Sequence, residues 1–157
     1  MLTTVVSGGQ IGVDQAALAA AKEAGLATTG WAPRGYRTLN GCNLKLRDLY
    51  GLKEHESERY APRTMQNVKD SNGTLRIAKD FTTYGEQCTL SALKVVGRPW
   101  LDVPMDHLDL ITGDKVLRWM QKHNIWVLNV AGNSERTAAG YLRGLLSVSS
   151  SCIPTSS

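Results

Sequence analysis

Apolar residues gather in five short runs along the chain, and a polar or glycine-rich segment follows each run. A short apolar run between turn residues is typical of a buried strand, whereas apolar residues three and four positions apart indicate a helix. The runs predict strands over residues 3–6, 26–31, 73–78, 99–103 and 125–130. The helical spacing predicts helices over residues 13–24, 60–70, 88–96, 107–123 and 138–146.

This alternation of strands and helices predicts an α/β fold, a single Rossmann-like domain with a mostly parallel sheet of five to six strands and helices on both faces. We assign the domain to residues 1–147 and a serine-rich flexible tail to residues 148–157. Residues 32–58 are predicted to be a long irregular segment, which in a compact domain is usually functional. Ligands of such folds bind at the carboxyl ends of the strands, so the loops there are the candidates for function.

Composition narrows the choice of ligand and compartment. The 157 residues carry a formal net charge of +4 at pH 7, with both signs mixed along the chain. No basic stripe with interleaved aromatic residues is visible, so we expect no nucleic-acid partner. No apolar run reaches about 18 residues, so we expect no membrane span. The mild positive charge favours a small anionic ligand. The three widely separated cysteines have no CxxC spacing and no histidine at metal-ligand spacing, which predicts no zinc site, and their odd number without a leader sequence indicates the cytoplasm.

Three glycines stand where the first predicted strand passes into the first helix. The segment SGGQIGVD contains Ser7, Gly8, Gly9, Gln10 and Gly12. Backbone N–H groups at a helix N-terminus attract anions, and glycine lets the backbone approach the ligand closely. The segment matches neither the dinucleotide pattern GxGxxG nor the P-loop. We predict an anion site here, which Gly9→Val should abolish by filling the ligand's space; the alternative is a tight turn that binds nothing.

Two further loops rich in hydroxyl, amide and glycine groups follow predicted strands. They contribute Thr83, Tyr84 and Gly85 in KDFTTYGEQCTL, and Gly132, Asn133, Ser134 and Glu135 in NVAGNSER. Helix capping by a threonine is the alternative explanation for the first of these loops. We expect Glu86 to be a first-turn carboxylate that favours the helix dipole, and Cys88 to be a packing residue.

Two more segments offer groups for a planar or anionic ligand. Trp31 is a candidate for stacking on a ring, and Arg34 beside Gly35 for pairing with an oxyanion. Arg63 and Asn67 follow in the segment YAPRTMQNVKDSNG. A half-buried tryptophan and a structural salt-bridge network are the alternatives that the residues leave open.

The chain carries none of the local signatures of hydrolytic catalysis, such as GxSxG or HExxH. His55, His107 and His123 adjoin none of the three loops. We therefore predict no catalytic residue and no enzymatic activity. The sequence favours a protein that holds its ligand without transforming it.

Four segments, SGGQIGVDQAAL, GWAPRG, YAPRTMQNVKDSNGTL and LNVAGNSER, resemble in order and spacing the molybdenum cofactor carrier proteins. The resemblance covers roughly residues 3–146. It implies a circularly permuted Rossmann-like fold related to the lysine-decarboxylase-like and cytokinin-activating (LOG) proteins, and assembly into dimers or tetramers. It also implies a carrier and store of the molybdenum cofactor, or Moco, a pterin dithiolene with a terminal phosphate. The implied partners are Moco-dependent enzymes such as nitrate reductase, and proteins of Moco biosynthesis.

The predicted cofactor-binding residues combine the loops with the positions that match the family. They are Ser7, Gly8, Gly9, Gln10, Gly12, Trp31, Arg34, Gly35, Arg63, Asn67, Thr83, Tyr84, Gly85, Gly132, Asn133, Ser134 and Glu135. One departure is visible: relatives commonly carry Thr-Gly-Gly-Thr where this chain has Thr83-Tyr84-Gly85-Glu86. This loop therefore either binds the phosphate without the second glycine or contacts the ligand through Tyr84.

Two alternative functions stay open. One is a phosphoribohydrolase acting on nucleoside monophosphates, an activity tied in the cytokinin-activating relatives to a PGGxGTxxE-type motif. Here the helix after Gly85 reads EQCTLSALKVV, with no acid in its later turns. The other is a sensor module for a nucleotide derivative such as an ADP-ribose-like ligand.

Overall fold

The computed structural model describes residues 1–132 and 138–151, in which strands and helices alternate along most of the chain. The strands are β1 (Thr4–Val6), β2 (Ala27–Thr29), β3 (Trp31–Ala32), β4 (Arg37–Thr38), β5 (Gly41–Cys42), β6 (Lys53–Glu54), β7 (Gly73–Ala78), β8 (Trp100–Pro104) and β9 (Val127–Gly132). The helices are α1 (Val13–Glu23), α2 (Lys45–Asp48), α3 (Tyr60–Lys69), α4 (Tyr84–Val96), α5 (Leu110–Lys122) and α6 (Ala138–Ser151).

The central sheet has five strands in the order β2-β1-β9-β7-β8, and every neighbouring pair is parallel. Helices flank this sheet, with α1 packed against α6 and α3 packed against α4. The predicted α/β fold with a Rossmann-like parallel sheet is therefore confirmed. The last strand, β9, lies between β1 and β7, so the loops after these three strands meet at one edge of the sheet.

Hydrophobic burial explains why the short strands hold together. All six residues of β7 are buried, because the strand lies inside the sheet between β9 and β8. Aliphatic side chains of the sheet form one core with α1, α5 and α6. Small alanines such as Ala17 and Ala21 let α1 lie close to the sheet and to α6. The sheet edge that carries the loops is thus a rigid base for a site.

The segment predicted to be irregular, residues 32–58, is largely structured. It contains α2 and the short strands β4, β5 and β6, and its buried side chains form a second core with α1. This core comprises Leu18, Ala32, Tyr36, Leu46 and Leu52. Glycines and prolines suggested a loop, but a few apolar residues spread over the segment are sufficient to anchor it.

Several element boundaries differ from the sequence-based prediction. The strand predicted over residues 26–31 is divided at Gly30, whose φ is 147° and whose missing Cβ leaves room for the backbone of Ser7. Helix α4 begins at Tyr84 rather than at residue 88. Helix α5 begins at Leu110 rather than at residue 107, and the carboxylate of Asp109 caps it by accepting a hydrogen bond from the N–H of Thr112 at 2.8 Å.

The last helix is longer than predicted, since α6 continues from residue 146 to Ser151. The buried Ser149 hydroxyl donates to the carbonyl of Leu145 at 2.9 Å, which keeps this polar end within the helical hydrogen-bond pattern. The beginning of the predicted tail is therefore helical, and residues 152–157 lie outside the described residues. Every helix in the described ranges is too short or too polar to cross a lipid bilayer.

Candidate functional site

A cavity of about 260 Å³ opens where the loops after β1, β7 and β9 meet. Its walls come from the loop that leads into α1, from α3, from the start of α4, from the end of β9 and from one residue between β4 and β5. The lining residues are Gly8, Gln10, Ile11, Asp14, Leu39, Tyr60, Arg63, Thr64, Asn67, Thr83, Tyr84, Gly85, Glu86, Thr89, Asn129, Ala131 and Gly132. This position is the one that the parallel sheet favours for a ligand.

The structure brings eight of the predicted site residues together in this cavity. They are Gly8, Gln10, Arg63, Asn67, Thr83, Tyr84, Gly85 and Gly132. Six others, Ser7, Gly9, Gly12, Trp31, Arg34 and Gly35, do not line it. The remaining three, Asn133, Ser134 and Glu135, lie outside the described residues.

Arg63 supplies a buried positive charge to the cavity. The side chain lies on α3 and is only 5% exposed, and its guanidinium carbon is 4.4 Å from the centre of the Tyr60 ring. Its buried Nε has no hydrogen-bond partner among the residues that the structure describes. A buried donor without a partner costs about 1–3 kcal/mol, so a ligand oxyanion that accepts from it would remove this cost.

Gly8 makes room for this guanidinium. A Cβ at Gly8 would overlap Nη1 of Arg63 and lie 3.2 Å from Oδ2 of Asp14. Any larger residue at this position would displace the arginine. The requirement for glycine here is therefore a matter of space beside the cavity.

Gly9, in contrast, faces the protein interior. Its φ is 76°, and a Cβ there would lie 2.8 Å from a methyl group of Leu46 and 2.9 Å from one of Leu52. The prediction that Gly9→Val would fill the ligand's space was therefore wrong, because the added side chain would strike the second core. The neighbouring Ser7 is also buried, and its Oγ accepts from the N–H of Gly9 at 3.3 Å.

Asp14 places a carboxylate in the first turn of α1. The side chain is 5% exposed, and its Oδ2 accepts from the N–H of Gln10 at 3.2 Å. Burial raises the pKa of Asp14 to about 6, although the charge of Arg63 and hydrogen bonds from the backbone of Gln10 and Gly132 oppose the shift. Burial therefore keeps the proton on Asp14 to a higher pH than on an exposed aspartic acid.

Glu86 places a second buried carboxylate in the cavity, in the first turn of α4. It is 3% exposed, and its Oε2 lies 3.4 Å from Nη1 of Arg76. Burial raises the pKa of Glu86 to about 7; the Arg76 charge opposes this shift, and the charges of Asp14 and Asp102 add to it. Glu86 does occupy the first turn, as expected, but its side chain turns inward to the buried arginine.

Arg76 itself is bound mainly by another acid. Its Nε and Nη2 donate to the two oxygens of Asp102, each at 2.7 Å, and its Nη1 donates to the carbonyl of Glu86 at 3.0 Å. The guanidinium also lies 5.0 Å from the centre of the Phe81 ring. This bidentate arrangement fixes Arg76 inside the sheet and uses most of its donors.

Trp31 is held outside the cavity by its own contacts, so the predicted stacking on a ligand does not fit the structure. Its indole N–H donates to Asp70 at 2.7 Å, and Lys53 lies 5.0 Å from the ring centre. Asn67, which does line the cavity, joins the backbone of Trp31 through bonds of 2.8 and 3.1 Å. Trp31 thus anchors α3 to β3.

Arg34 and Gly35 do not line the cavity either. Arg34 is exposed, and the N–H of Gly35 donates to a carboxylate oxygen of Glu54 at 3.0 Å. Gly12 serves the turn before α1, with a φ of 101°. The prediction that these residues join one binding surface does not match their positions.

Nine lining residues were not among the predicted site residues. They are Ile11, Asp14, Leu39, Tyr60, Thr64, Glu86, Thr89, Asn129 and Ala131. Asp14 and Glu86 shared a visible signal, since each is an acid that follows a glycine by one or two positions in the first turn of a helix. Such acids usually serve the helix dipole from the surface, and only the structure shows that both are buried.

The cavity offers both donors and acceptors of hydrogen bonds to a ligand. In the part of the chain that the structure describes, no three His, Cys, Asp or Glu side chains cluster as metal ligands. A buried guanidinium, two buried carboxylates and two helix N-termini instead provide both donors and acceptors. This combination suits a ligand with an anionic end and a hydrogen-bonding ring.

A family model and a solved structure each match most of the chain. Residues 5–146 match the model of the "Circularly permutated YpsA SLOG family". The fold is similar to the 1.45 Å crystal structure of a protein from Syntrophus aciditrophicus SB named "Putative molybdenum carrier protein". The two share 31% sequence identity, with 94% of each chain covered and a TM-score of 0.80. No curated protein sequence matches the chain.

Proposed function

The chain belongs to the circularly permutated YpsA SLOG family, and from this premise we propose that it is a carrier that binds, protects and hands on the molybdenum cofactor without altering it. The name of the similar Syntrophus protein supports this proposal, since that protein is 31% identical over nearly the whole chain. The resemblance of four sequence segments to the carrier family agrees with both matches.

The unpartnered Nε of the buried Arg63 is the observation that carries the proposal. A terminal phosphate bound beside Gly8 would give this donor its acceptor and would lie near the uncapped start of α1. Both features favour a phosphate, because a guanidinium matches its oxygens and a helix N-terminus favours negative charge. We assign Arg63 and the loop around Gly8 to the phosphate end of the cofactor.

The cofactor also suits a protein without metal ligands of its own. Its dithiolene group binds the molybdenum, so the carrier needs only to hold the pterin and the phosphate. The described residues fit this demand, since they line a cavity with polar groups. A carrier must also release its cargo, and a micromolar complex, at about −8 kcal/mol, would allow release.

A carrier that transfers the cofactor requires proteins that supply it and enzymes that receive it. Enzymes that use the molybdenum cofactor, such as nitrate reductase, would receive it, and proteins of its biosynthesis would supply it. We further propose that the chain acts in the cytoplasm as a homo-oligomer, a dimer or a tetramer. Light scattering on the purified protein measures the number of copies directly.

Transfer of the cofactor to a recipient tests the proposal. The purified chain is loaded with Moco, freed of unbound cofactor and mixed with cofactor-free nitrate reductase. We expect the loaded chain to restore reductase activity and to protect the cofactor from oxidation longer than buffer does. Arg63→Ala should lose most of this capacity, whereas Arg118→Gln, an exposed change on α5, should keep it. A wild-type chain that neither loads nor protects the cofactor would refute the proposal.

A second candidate function, hydrolysis of nucleoside monophosphates, is favoured by the two buried acids. Burial raises the pKa values of Asp14 and Glu86 to about 6 and 7, which are values that suit proton transfer near neutral pH. Incubation with nucleoside monophosphates should then release free base, and both Asp14→Asn and Glu86→Gln should stop the release. A thermal-shift series with nucleotides and pterin phosphates separates hydrolysis from mere nucleotide sensing, because any ligand of the folded state raises its stability.

A further inference from the structure

The start of α4 differs from a simple anion site because a buried acid stands in it. Thr83 precedes the helix without a side-chain cap, and Glu86 is the third helical residue. Its carboxylate does not turn back to the backbone of Thr83, as it would in a capping box, but points inward to Arg76. A phosphate at the start of α4 would meet the Glu86 carboxylate, as one at the start of α1 would meet Asp14. Beside α1, however, the Arg63 guanidinium offsets the acid, whereas Arg76 is already bound to Asp102.

The carboxylate of Glu86 has unused hydrogen-bonding capacity. Arg76 is committed to Asp102 through two bonds of 2.7 Å, and its contact with Oε2 of Glu86 is long, at 3.4 Å. Among the described residues, Oε1 of Glu86 has no hydrogen-bond donor. This oxygen is not fully enclosed by protein atoms, so a ligand in the cavity can donate a hydrogen bond to it.

The chemistry of a carboxylate selects which part of a ligand binds there. An ionised carboxylate only accepts hydrogen bonds, and its two oxygens match two parallel N–H groups. A ring N–H next to an amino-substituted carbon presents such a pair. This edge belongs to the 2-amino-4-oxopyrimidine ring, which pterins and guanine share.

We propose that Glu86, positioned by Arg76 and Asp102, is the specificity-determining residue that binds the 2-amino-4-oxopyrimidine edge of the ligand, while Arg63 binds the anionic end. This inference rests on the proposed carrier function and adds to it the residue that distinguishes pterin from other rings. It also assigns different ends of one ligand to α3 and α4. The loop around Thr83 and Gly85 then holds the ring rather than the phosphate.

The raised pKa of Glu86 is consistent with its proposed role in binding the ring. The pKa of Glu86 is raised to about 7 mainly by burial, and the groups facing it are Arg76 on β7, Asp102 on β8 and Asp14 on α1. Two N–H donors from a ligand would favour the ionised carboxylate and lower this pKa. The ring should therefore bind better above pH 7 than below it.

Matched ligand pairs test the assignment. The first pair is a 6-hydroxyalkyl pterin monophosphate and the corresponding lumazine, in which an oxo group replaces the 2-amino group. The second pair is guanosine monophosphate, which carries the 2-amino group, and inosine monophosphate, which has a hydrogen in its place. We expect the wild-type chain to prefer the amino compound by roughly ten- to a hundredfold in Kd, as measured by fluorescence or calorimetry. The two pairs together show whether the site takes pterins, guanine or both.

Variants of Glu86 separate recognition from folding. Glu86→Gln has the same shape but presents one donor and one acceptor, so it should erase or reverse the preference within each pair. Glu86→Asp keeps the charge and should keep the direction of the preference at reduced strength. Glu56→Gln, an exposed change between β6 and α3, should leave the ratio unchanged. A thermal melt of each variant shows whether it is folded under the conditions in which its ligand affinity is compared with that of wild type.

The outcomes distinguish this inference from the carrier proposal. If Glu86→Gln retains the wild-type preference, or if the wild type shows no preference or binds neither pair, Glu86 does not bind this edge. Transfer of the cofactor without any preference would leave the carrier standing and overturn the role of Glu86. A preference lost in Glu86→Gln, without transfer to nitrate reductase, would uphold the role of Glu86 and refute the carrier.

Discussion

Two adjacent glycines in the first loop have different tasks, and this difference identifies the residue to change. Gly9 takes a positive φ and packs on Leu46 and Leu52, whereas Gly8 leaves space for the guanidinium of Arg63. A substitution at Gly9 would disturb the second core and say little about ligand binding. A small substitution at Gly8 instead acts on the group assigned to the anion.

Gly8→Ala should therefore weaken anion binding by about tenfold or more, because its methyl group displaces the Arg63 guanidinium. Calorimetric titration with sulfate measures this effect without the complication of a ring. Gly140→Ala, a change in α6 where an added Cβ meets no atom within 4 Å, is the matched control. Equal sulfate affinity in Gly8→Ala and wild type would show that Arg63 does not hold the anion.

Asp14 should make the stability of the empty protein depend on pH. Burial raises the pKa of Asp14 from 3.8 to about 6, so the folded state binds the proton more tightly than the unfolded state does. The corresponding stability is complete below about pH 4 and is lost as the pH rises through 6. The stability of Asp14→Asn should not change over this range, so this variant should gain roughly 2–3 kcal/mol relative to wild type between pH 4 and pH 8. Urea unfolding measures this gain, and parallel pH profiles of the two proteins would contradict it.

At the scale of elements, the apolar pattern of the sequence predicted the strands and helices whose positions depend on local hydrophobicity. The five central strands and their order along the chain followed from short apolar runs, most clearly for the inner strands β1, β7 and β9, whose residues are buried or half-buried. The division at Gly30 and the second core around Leu46 could not be predicted, because both depend on contacts between segments distant in sequence. The direction of the Glu86 side chain likewise depends on Arg76 in another strand.

The strand β7 and the helix α4 are coupled through one buried arginine, which predicts non-additive mutations. Arg76→Met should destabilise the fold by about 3 kcal/mol, because Glu86 then stays buried without its positive neighbour. Adding Glu86→Gln should restore part of this loss, since the amide needs no counter-charge. A double-mutant cycle of unfolding free energies measures the coupling, and strictly additive effects would mean that the two side chains act independently.

At the scale of the whole molecule, the parallel sheet brings three loops to one edge and thereby creates the site. The strand order places β9 between β1 and β7, so the last strand of the chain completes a cavity begun by the first. The family match and the similar Syntrophus structure agree with the circular permutation and fold expected from four sequence segments. Which of the assembled groups contacts the ligand could not be predicted from the sequence, because burial and pairing of the acids arise only in the folded chain.

The crystal structure of the chain with bound molybdenum cofactor tests the central claim most directly. We predict that the phosphate lies against Arg63 and Gly8 and that the 2-amino-4-oxopyrimidine edge of the pterin lies within hydrogen-bond distance of Glu86. Cofactor bound away from this cavity, or a phosphate at the start of α4 beside Glu86, would contradict the assignment of the site.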